Sequence, residues 1–490
     1  MHQQLDTPPV PAPTGTPDAV DAASAMVNRF DPADAALLPE DDQQLLARRR
    51  DVLGDIYPLF YERPVHVVRG EGARLWDADG TEYLDAYNNV PAVGHANPRI
   101  ARAVFQQLSE MNTHTRYLQD GIVTFAERFL ATHPDHLDRV IFSNSGSEAN
   151  DLAVTIAQWR TGNSGVIVTE NAYHGTTQLL AGLSPENGPT MPLHPWVRTV
   201  PAPDTFRDGD RAGELFAQAI TEAAADLDRH GYGLAALLLD SIMSTDGIFP
   251  GEPGLLVPAY RAAHAAGGLV IADEVQPGVG RTGDAMWGFQ RHTEAGPSRR
   301  DGAAPSLQAG TGEEDDATLV DMVTCGKPLA GGLPIGTLVL GAELSDGYAA
   351  GHRYFNTFGG NPASIAAATA VLDEVQDRDL VAHAREVGAY LQAGIERLSA
   401  PTGLVADVRG AGLFIGVEMA STGTPGSAAA RARHVVNALR DHNVLISAVG
   451  SDGRVLKVRP PLVFTREDAD AFLDIYDRVI TSVPQEGPTA

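Results

Sequence analysis

The stretch GGLVIADEVQPGVGRTG, residues 267–283, decides the fold class. Leu269, Val270, Ile271 and Ala272 form an unbroken apolar run, the pattern of a strand buried on both faces of a parallel sheet. Asp273 stands at the C-terminal end of that run, the edge where open α/β sheets bind their ligands. A carboxylate there either caps a neighbouring loop or holds a proton on a ligand's ring nitrogen. The glycines that follow, Gly278, Gly280 and Gly283, spell GxGxxG, the dinucleotide fingerprint. That fingerprint needs a helix directly after the glycines and an acidic residue roughly 20 positions later, at the end of a second strand. The chain continues instead as DAMWGFQRH into a Gly-, Ser- and charge-rich stretch, so a nicotinamide site is set aside.

Upstream, Val140, Ile141 and Phe142 form a short apolar run before SNSGSEAND (143–151), and Ala149, Leu152, Ala153, Ile156 and Ala157 then recur at helical spacing. The turn therefore opens a helix. Small residues at Ser145, Gly146 and Ser147 let free backbone N–H groups approach an anion at the positive end of the helix dipole, although an ordinary N-capped helix reads the same way. Downstream, the glycine-rich run TCGKPLAGG (324–332) carries Lys327, 54 positions beyond Asp273. The chain holds 34 arginines and only two lysines, Lys327 and Lys457. Arginine substitutes for lysine in ion pairs but stays protonated and forms no imine; a lysine amine can attack an aldehyde. A bias toward arginine accounts for the count, but not for the position of Lys327 after a phosphate turn and a ring-nitrogen carboxylate. Those three, in that order, are handles that pyridoxal 5'-phosphate requires.

With AYHGTT (172–177) and YFNTFGGNPAS (354–364), these segments resemble the class III aminotransferases, pyridoxal-phosphate enzymes of fold type I, over about residues 64–474. LDAYNNVPAVGHANP (84–98) and MNTHTRYLQD (111–120) carry a closer likeness to the alanine–glyoxylate aminotransferase type and to the phospho-lyases acting on phosphoethanolamine or phosphohydroxylysine. The resemblance implies an α/β fold with a mostly parallel sheet in a large domain and a smaller α/β domain. It implies that Lys327 joins the cofactor aldehyde as a Schiff base and then acts as base, with Asp273 on the ring nitrogen. Gly146 and Ser147 would take the phosphate, Tyr173 would stack on the ring, Val275 would pack on its other face, and Gln276 would approach the ring hydroxyl. Thr357 would reach the phosphate of a neighbouring subunit, making the enzyme a homodimer with shared sites, or a tetramer built from such dimers. Arg409, in VRGAG, matches the arginine that receives a substrate carboxylate, with a structural salt bridge as its other reading. Asp240 stands where many relatives have glutamate, which leaves its role open. The implied reaction is amino transfer between a primary amine or amino acid and a 2-oxo acid; the alternative is elimination of phosphate from a phosphorylated amino alcohol.

Composition agrees. The 490 residues exceed one compact core, and 43% are hydrophobic. The formal charge of −27 argues against nucleic acid or anionic membrane as partner. Cys325 is the only cysteine, so thiolate metal sites and an intrachain disulfide are excluded and a small buried residue is expected. No apolar signal core or run of ~18 apolar residues is evident, so a cytoplasmic enzyme without a metal is expected. Residues 1–40 read as a mobile extension rich in Pro and Ala, 41–93 as the N-terminal part of the small domain with a hairpin at Asp79 and Gly80, and 94–348 as the cofactor domain. Within it, 293–317 read as a solvated insertion, and 349–480 as the C-terminal small domain with a long helical stretch from Pro362 to Leu398. Lys457, beside Arg459 in LKVRPPL, reads as a surface or ion-pair residue.

Overall fold

The apolar run after Gly268 lies at the centre of a seven-stranded sheet. The computed structural model describes residues 26, 28–293, 318–424 and 426–483; nearly all of the 293–317 insertion, and residues 1–25, lie outside them. In chain order the strands are β1 (Val67–Glu71), β2 (Arg74–Asp77), β3 (Glu82–Asp85), β4 (Arg139–Ser143), β5 (Gly165–Thr169), β6 (Val197–Val200), β7 (Leu234–Asp240) and β8 (Leu269–Asp273). They continue with β9 (Met322–Cys325), β10 (Gly336–Leu340), β11 (Val405–Gly410), β12 (Ile415–Met419), β13 (Val444–Leu445), β14 (Ser447–Val449) and β15 (Val455–Val458).

The large sheet has the order β4-β10-β9-β8-β7-β5-β6. Neighbours from β9 to β6 run parallel, and β10 alone runs antiparallel to both of its neighbours. Parallel strands need crossovers, which helices such as Gly146–Thr161, Ala212–Arg229 and Val257–Ala265 supply. All of β5, and β8 beyond its first residue, are buried, which is why these strands are uniformly apolar rather than alternating. The register sets Asp240 beside Asp273 and Asp273 beside Thr324, so three strand ends form one edge and Lys327 follows two residues past β9.

Two smaller sheets complete the chain. β13 pairs in parallel with β3 and closes the order β1-β2-β3-β13, joining the N-terminal hairpins to a much later segment. β11-β12-β15-β14 is antiparallel. Among the described residues no helix is long and apolar enough to cross a membrane.

One expectation is corrected and one is refined. The end of the proposed N-terminal extension is built into the protein: Phe30 and Leu38 are buried, the Phe30 N–H donates to the Leu59 carbonyl, and Pro32–Leu37 forms a 3-10 turn capped by Asp31. A single aromatic buried there outweighs the polar, Pro-rich composition. The long helical stretch after Pro362 is two helices, Pro362–Asp377 and Leu380–Ser399, because Asp379 adopts a left-handed backbone with φ of 46°. No Gly or Pro marked that break.

Ile271, at 0% exposure in the central strand, has no room to relax. Ile271→Ala is expected to lower the unfolding free energy by about 2–5 kcal/mol, measured by denaturant titration.

Candidate active site

At the C-terminal edge of the parallel strands lies a cavity of about 270 Å³. Its walls bring together seven of the residues read from the sequence: Gly146 and Ser147, Tyr173, Asp273, and Val275, Gln276 and Lys327. The helix Gly146–Thr161 begins in this wall. Ser145 caps it by accepting from the Glu148 N–H at 3.2 Å, and the Glu148 carboxylate accepts from the Asn144 N–H at 2.8 Å. Gly146 and Ser147, whose N–H groups have no partner within the helix, line the cavity. The glycines here are steric requirements. A Cβ on Gly146 would sit 2.5 Å from Val275 Cγ2, and one on Gly175, whose φ is +148°, would sit 2.6 Å from Ser147 Oγ.

Asp273 is buried and held by three donors from three elements. Asn150 Nδ2 and His174 Nδ1 both reach its Oδ2 at 2.8 Å, and the Val275 N–H reaches Oδ1 at 3.0 Å. Thr324 Oγ1 donates in turn to Asn150 Oδ1, linking β9 to the same group. His174 lines the cavity, and its Nε2 is buried with no partner among the described residues. Asn150 and His174 belong to motifs quoted above, but their role as supports of Asp273 was not read, since only the fold brings them to one carboxylate. The neighbouring Glu274 was also unread; it accepts from Ser241 Oγ and the N–H groups of Gly288 and Phe289, pinning the loop after β8.

Lys327 lines the cavity with much of its side chain open to it or to solvent, and among the described residues its amine makes no hydrogen bond. Burial, and secondarily the Arg459 charge, pushes its pKa below the usual 10.5, against Asp273, Asp240 and Glu186. A lowered lysine presents more neutral amine, the form that attacks an aldehyde.

Lys457 overturns its surface reading. It is 4% exposed on β15, and its Nζ donates to Gln276 Oε1 at 2.9 Å and to the Ser244 carbonyl at 3.1 Å. Arg459, also buried, donates to the same Gln276 oxygen and to the Tyr87 carbonyl. The sequence showed two cations flanking a valine; that alternation on a strand puts both on one face, a signal that was available. Asp240 lines the cavity and accepts from Ser244 Oγ and the Ile242 N–H. Cys325 is buried, its thiol pushed well above the usual range by burial. Two residues stand apart from the cavity wall. Thr357 is exposed in the loop before Pro362, and Arg409 is buried in a cage of the Glu418 and Asp407 carboxylates and the Gly247 and Ile248 carbonyls. The GxGxxG glycines lead into no helix; the chain runs through turns to a short 3-10 segment at Gly288–His292.

The residues fit pyridoxal phosphate. A helix start of small residues suits a phosphate, a buried carboxylate suits a protonated ring nitrogen, and an unpartnered lysine lining the cavity suits an aldehyde carbon. Comparison with known proteins agrees. The family described as Aminotransferase class-III matches residues 60–297 and 312–480. An alanine–glyoxylate aminotransferase 2-like protein of Drosophila melanogaster is 36% identical, covering 89% of this chain and 87% of the relative. An ethanolamine-phosphate phospho-lyase homolog of Caenorhabditis elegans is 32% identical, covering 90% and 93%. A solved Arthrobacter phospholyase in complex with phosphoethanolamine is 40% identical with a TM-score of 0.81, covering 90% of this chain and all of that one.

Borohydride reduction of the cofactor-loaded protein followed by peptide mapping is expected to label Lys327 and not Lys457. With apo-protein, covalent capture of the aldehyde should rise with pH to a midpoint below 10.5. Arg459→Met removes a cation that disfavours the charged amine, so it should move that midpoint upward.

Proposed function

From the premise that the chain belongs to the class III aminotransferase family and uses pyridoxal phosphate, we propose that it eliminates phosphate from a small phosphorylated primary amine of the phosphoethanolamine type. The observation that carries this reading is the pairing of Lys457 and Arg459. Both donate to one neutral oxygen, Gln276 Oε1, in the wall that also holds Lys327, and neither bonds a carboxylate among the described residues. Burial, and then the Arg459 charge, push the Lys457 amine well below its usual 10.5, against Asp240 and Glu186; a phosphate dianion arriving beside Arg459 would draw a proton onto that amine and complete an anion-binding pair. Arg409, the arginine that an oxo-acid carboxylate would need, is occupied by Glu418 and Asp407.

The bound cofactor supplies an electron-withdrawing ring that stabilises negative charge on the substrate carbon. Asp273, fixed by Asn150 and His174, keeps the ring nitrogen protonated. Lys327 takes the proton from the carbon bearing nitrogen. The C–O bond on the adjacent carbon would then break, phosphate leaving with the electron pair toward Lys457 and Arg459; Lys327 would return its proton to that carbon, and water would release the skeleton as an aldehyde and the nitrogen as ammonia. Amino transfer to a 2-oxo acid is the second reading, favoured by the aminotransferase relatives, including an acetylornithine aminotransferase of Streptomyces coelicolor that is 34% identical.

The same reading includes a homodimer in a reducing, cytoplasmic setting. The helix Glu40–Leu53 buries none of its residues, and an isolated helix of that length is marginal in water. Phe105, Tyr117, Leu118 and Phe358 are also exposed; Phe358 adjoins Thr357 in the chain, and His114 contacts both Tyr117 and Phe355. We assign these surfaces to a second copy, with Thr357 reaching the other subunit's phosphate site.

Purified enzyme with phosphoethanolamine should release phosphate, ammonia and acetaldehyde, whereas an amine with pyruvate should give no alanine; alanine without phosphate reverses the assignment. Lys457→Met is expected to raise KM for phosphoethanolamine about 10–100-fold, the worth of a charge-assisted hydrogen bond. Light scattering should give twice the chain mass of 51.8 kDa, and Leu118→Asp should shift it toward one.

A further inference from the structure

The GVGRTG stretch, residues 278–283, is absorbed by no step above, yet it contains Arg281, one of the largest fully buried side chains in the protein. Arg281 is 0% exposed and bonds no carboxylate among the described residues. Its Nη1 donates to the carbonyls of Leu413, at 3.2 Å, and Pro460, and its Nη2 donates to Asn89 Oδ1 at 3.0 Å. Burying a cation against neutral acceptors is costly, and burial with the Arg459 charge pushes this guanidinium down to about 9. Such a cost persists only where the geometry it enforces is needed.

The three acceptors come from three distant segments. Asn89 follows β3, Leu413 lies in the turn between β11 and β12, and Pro460 follows β15 just after Arg459. A planar fork with fixed donor directions serves all three at once, which an ammonium cannot. The backbone is equally tight: the Leu413 N–H donates to the Arg281 carbonyl at 3.1 Å, and a Cβ on Gly412, whose φ is +54°, would sit 2.5 Å from that oxygen. Asn89 then carries the connection into the cavity wall. It is 1% exposed, and its Nδ2 donates to the carbonyls of Val275 at 3.3 Å and Gln276 at 3.2 Å. Arg281 and Asn89 thus tie the C-terminal sheet to the two wall residues beside Asp273, one of which receives Lys457 and Arg459 from that same sheet.

We propose that Arg281 and Asn89 are positioning residues for the reaction: together they hold the Val275–Gln276 backbone in register with Lys457 and Arg459, fixing the ring-side wall. The ring-side half depends only on the cofactor site; the half concerning Lys457 and Arg459 rests on the phosphate-elimination reading.

Asn89→Asp separates positioning from folding. The new carboxylate keeps the Arg281 partner and makes it charged, but loses the donor to Val275 and Gln276. The holoenzyme is expected to keep its Tm within about 2 °C. Its visible cofactor absorption band should shift, and cofactor dissociation on dilution should quicken about 10-fold, the worth of one lost hydrogen bond to a placed group. Arg281→Lys should show the same spectral shift with a loss of Tm, and Phe472→Leu, a distant core change, should lower Tm without it. With phosphoethanolamine as substrate, Asn89→Asp should also raise KM. Wild-type spectrum and dissociation in Asn89→Asp would overturn the proposal and leave Arg281 a structural bolt. Altered cofactor readouts with no turnover of phosphoethanolamine by wild type would instead keep the positioning role and remove the elimination reading.

Discussion

A buried carboxylate with no ionic bond to a lysine or arginine among the described residues governs this architecture. Asp273 is surrounded by protein, and its charge is held by hydrogen bonds from Asn150, His174 and the Val275 N–H. Those donors arise from the helix after β4, the loop after β5 and the loop after β8. Satisfying one acidic group therefore forces three crossover connections to converge on one strand edge, where an unsatisfied charge would cost several kcal/mol. The cavity is the space that remains when they meet, bounded by glycines whose missing side chains let the backbones close in.

Charge in this cavity is arranged by side. Asp273 and its donors occupy the strand end, while Lys457 and Arg459 enter from β15 and meet at Gln276. Lys327 sits between, its proton affinity set by burial and by both signs of neighbour. Neutralising either side alone would upset the other, since at low effective dielectric each charge is felt across the site.

The strand ending at Asp273, the helix-opening turn at Ser145 and the position of Lys327 were legible in the sequence because each rests on local pattern: an apolar run, a capping residue, a glycine-rich turn. What was not legible is what several distant segments build together. His174 and Asn150 stand in quoted motifs, but their shared target is fixed only by sheet register. Lys457 was misread because two cations in a short polar-apolar stretch look like a solvated face unless the strand is known to be covered on both sides. The break at Asp379 is a left-handed residue that local composition does not announce, and Phe30 is ordered by a contact with residues near Leu59.

Of the two ε-amines of this polypeptide, Lys327 lines the cavity and Lys457 is buried behind Gln276 in its wall, and every other side-chain cation is a guanidinium or an imidazole. Aldehydes in the surrounding solution, the free vitamer included, therefore meet no lysine away from the cavity and its wall. Reagents that target ε-amines would report on the cavity and its wall with little background.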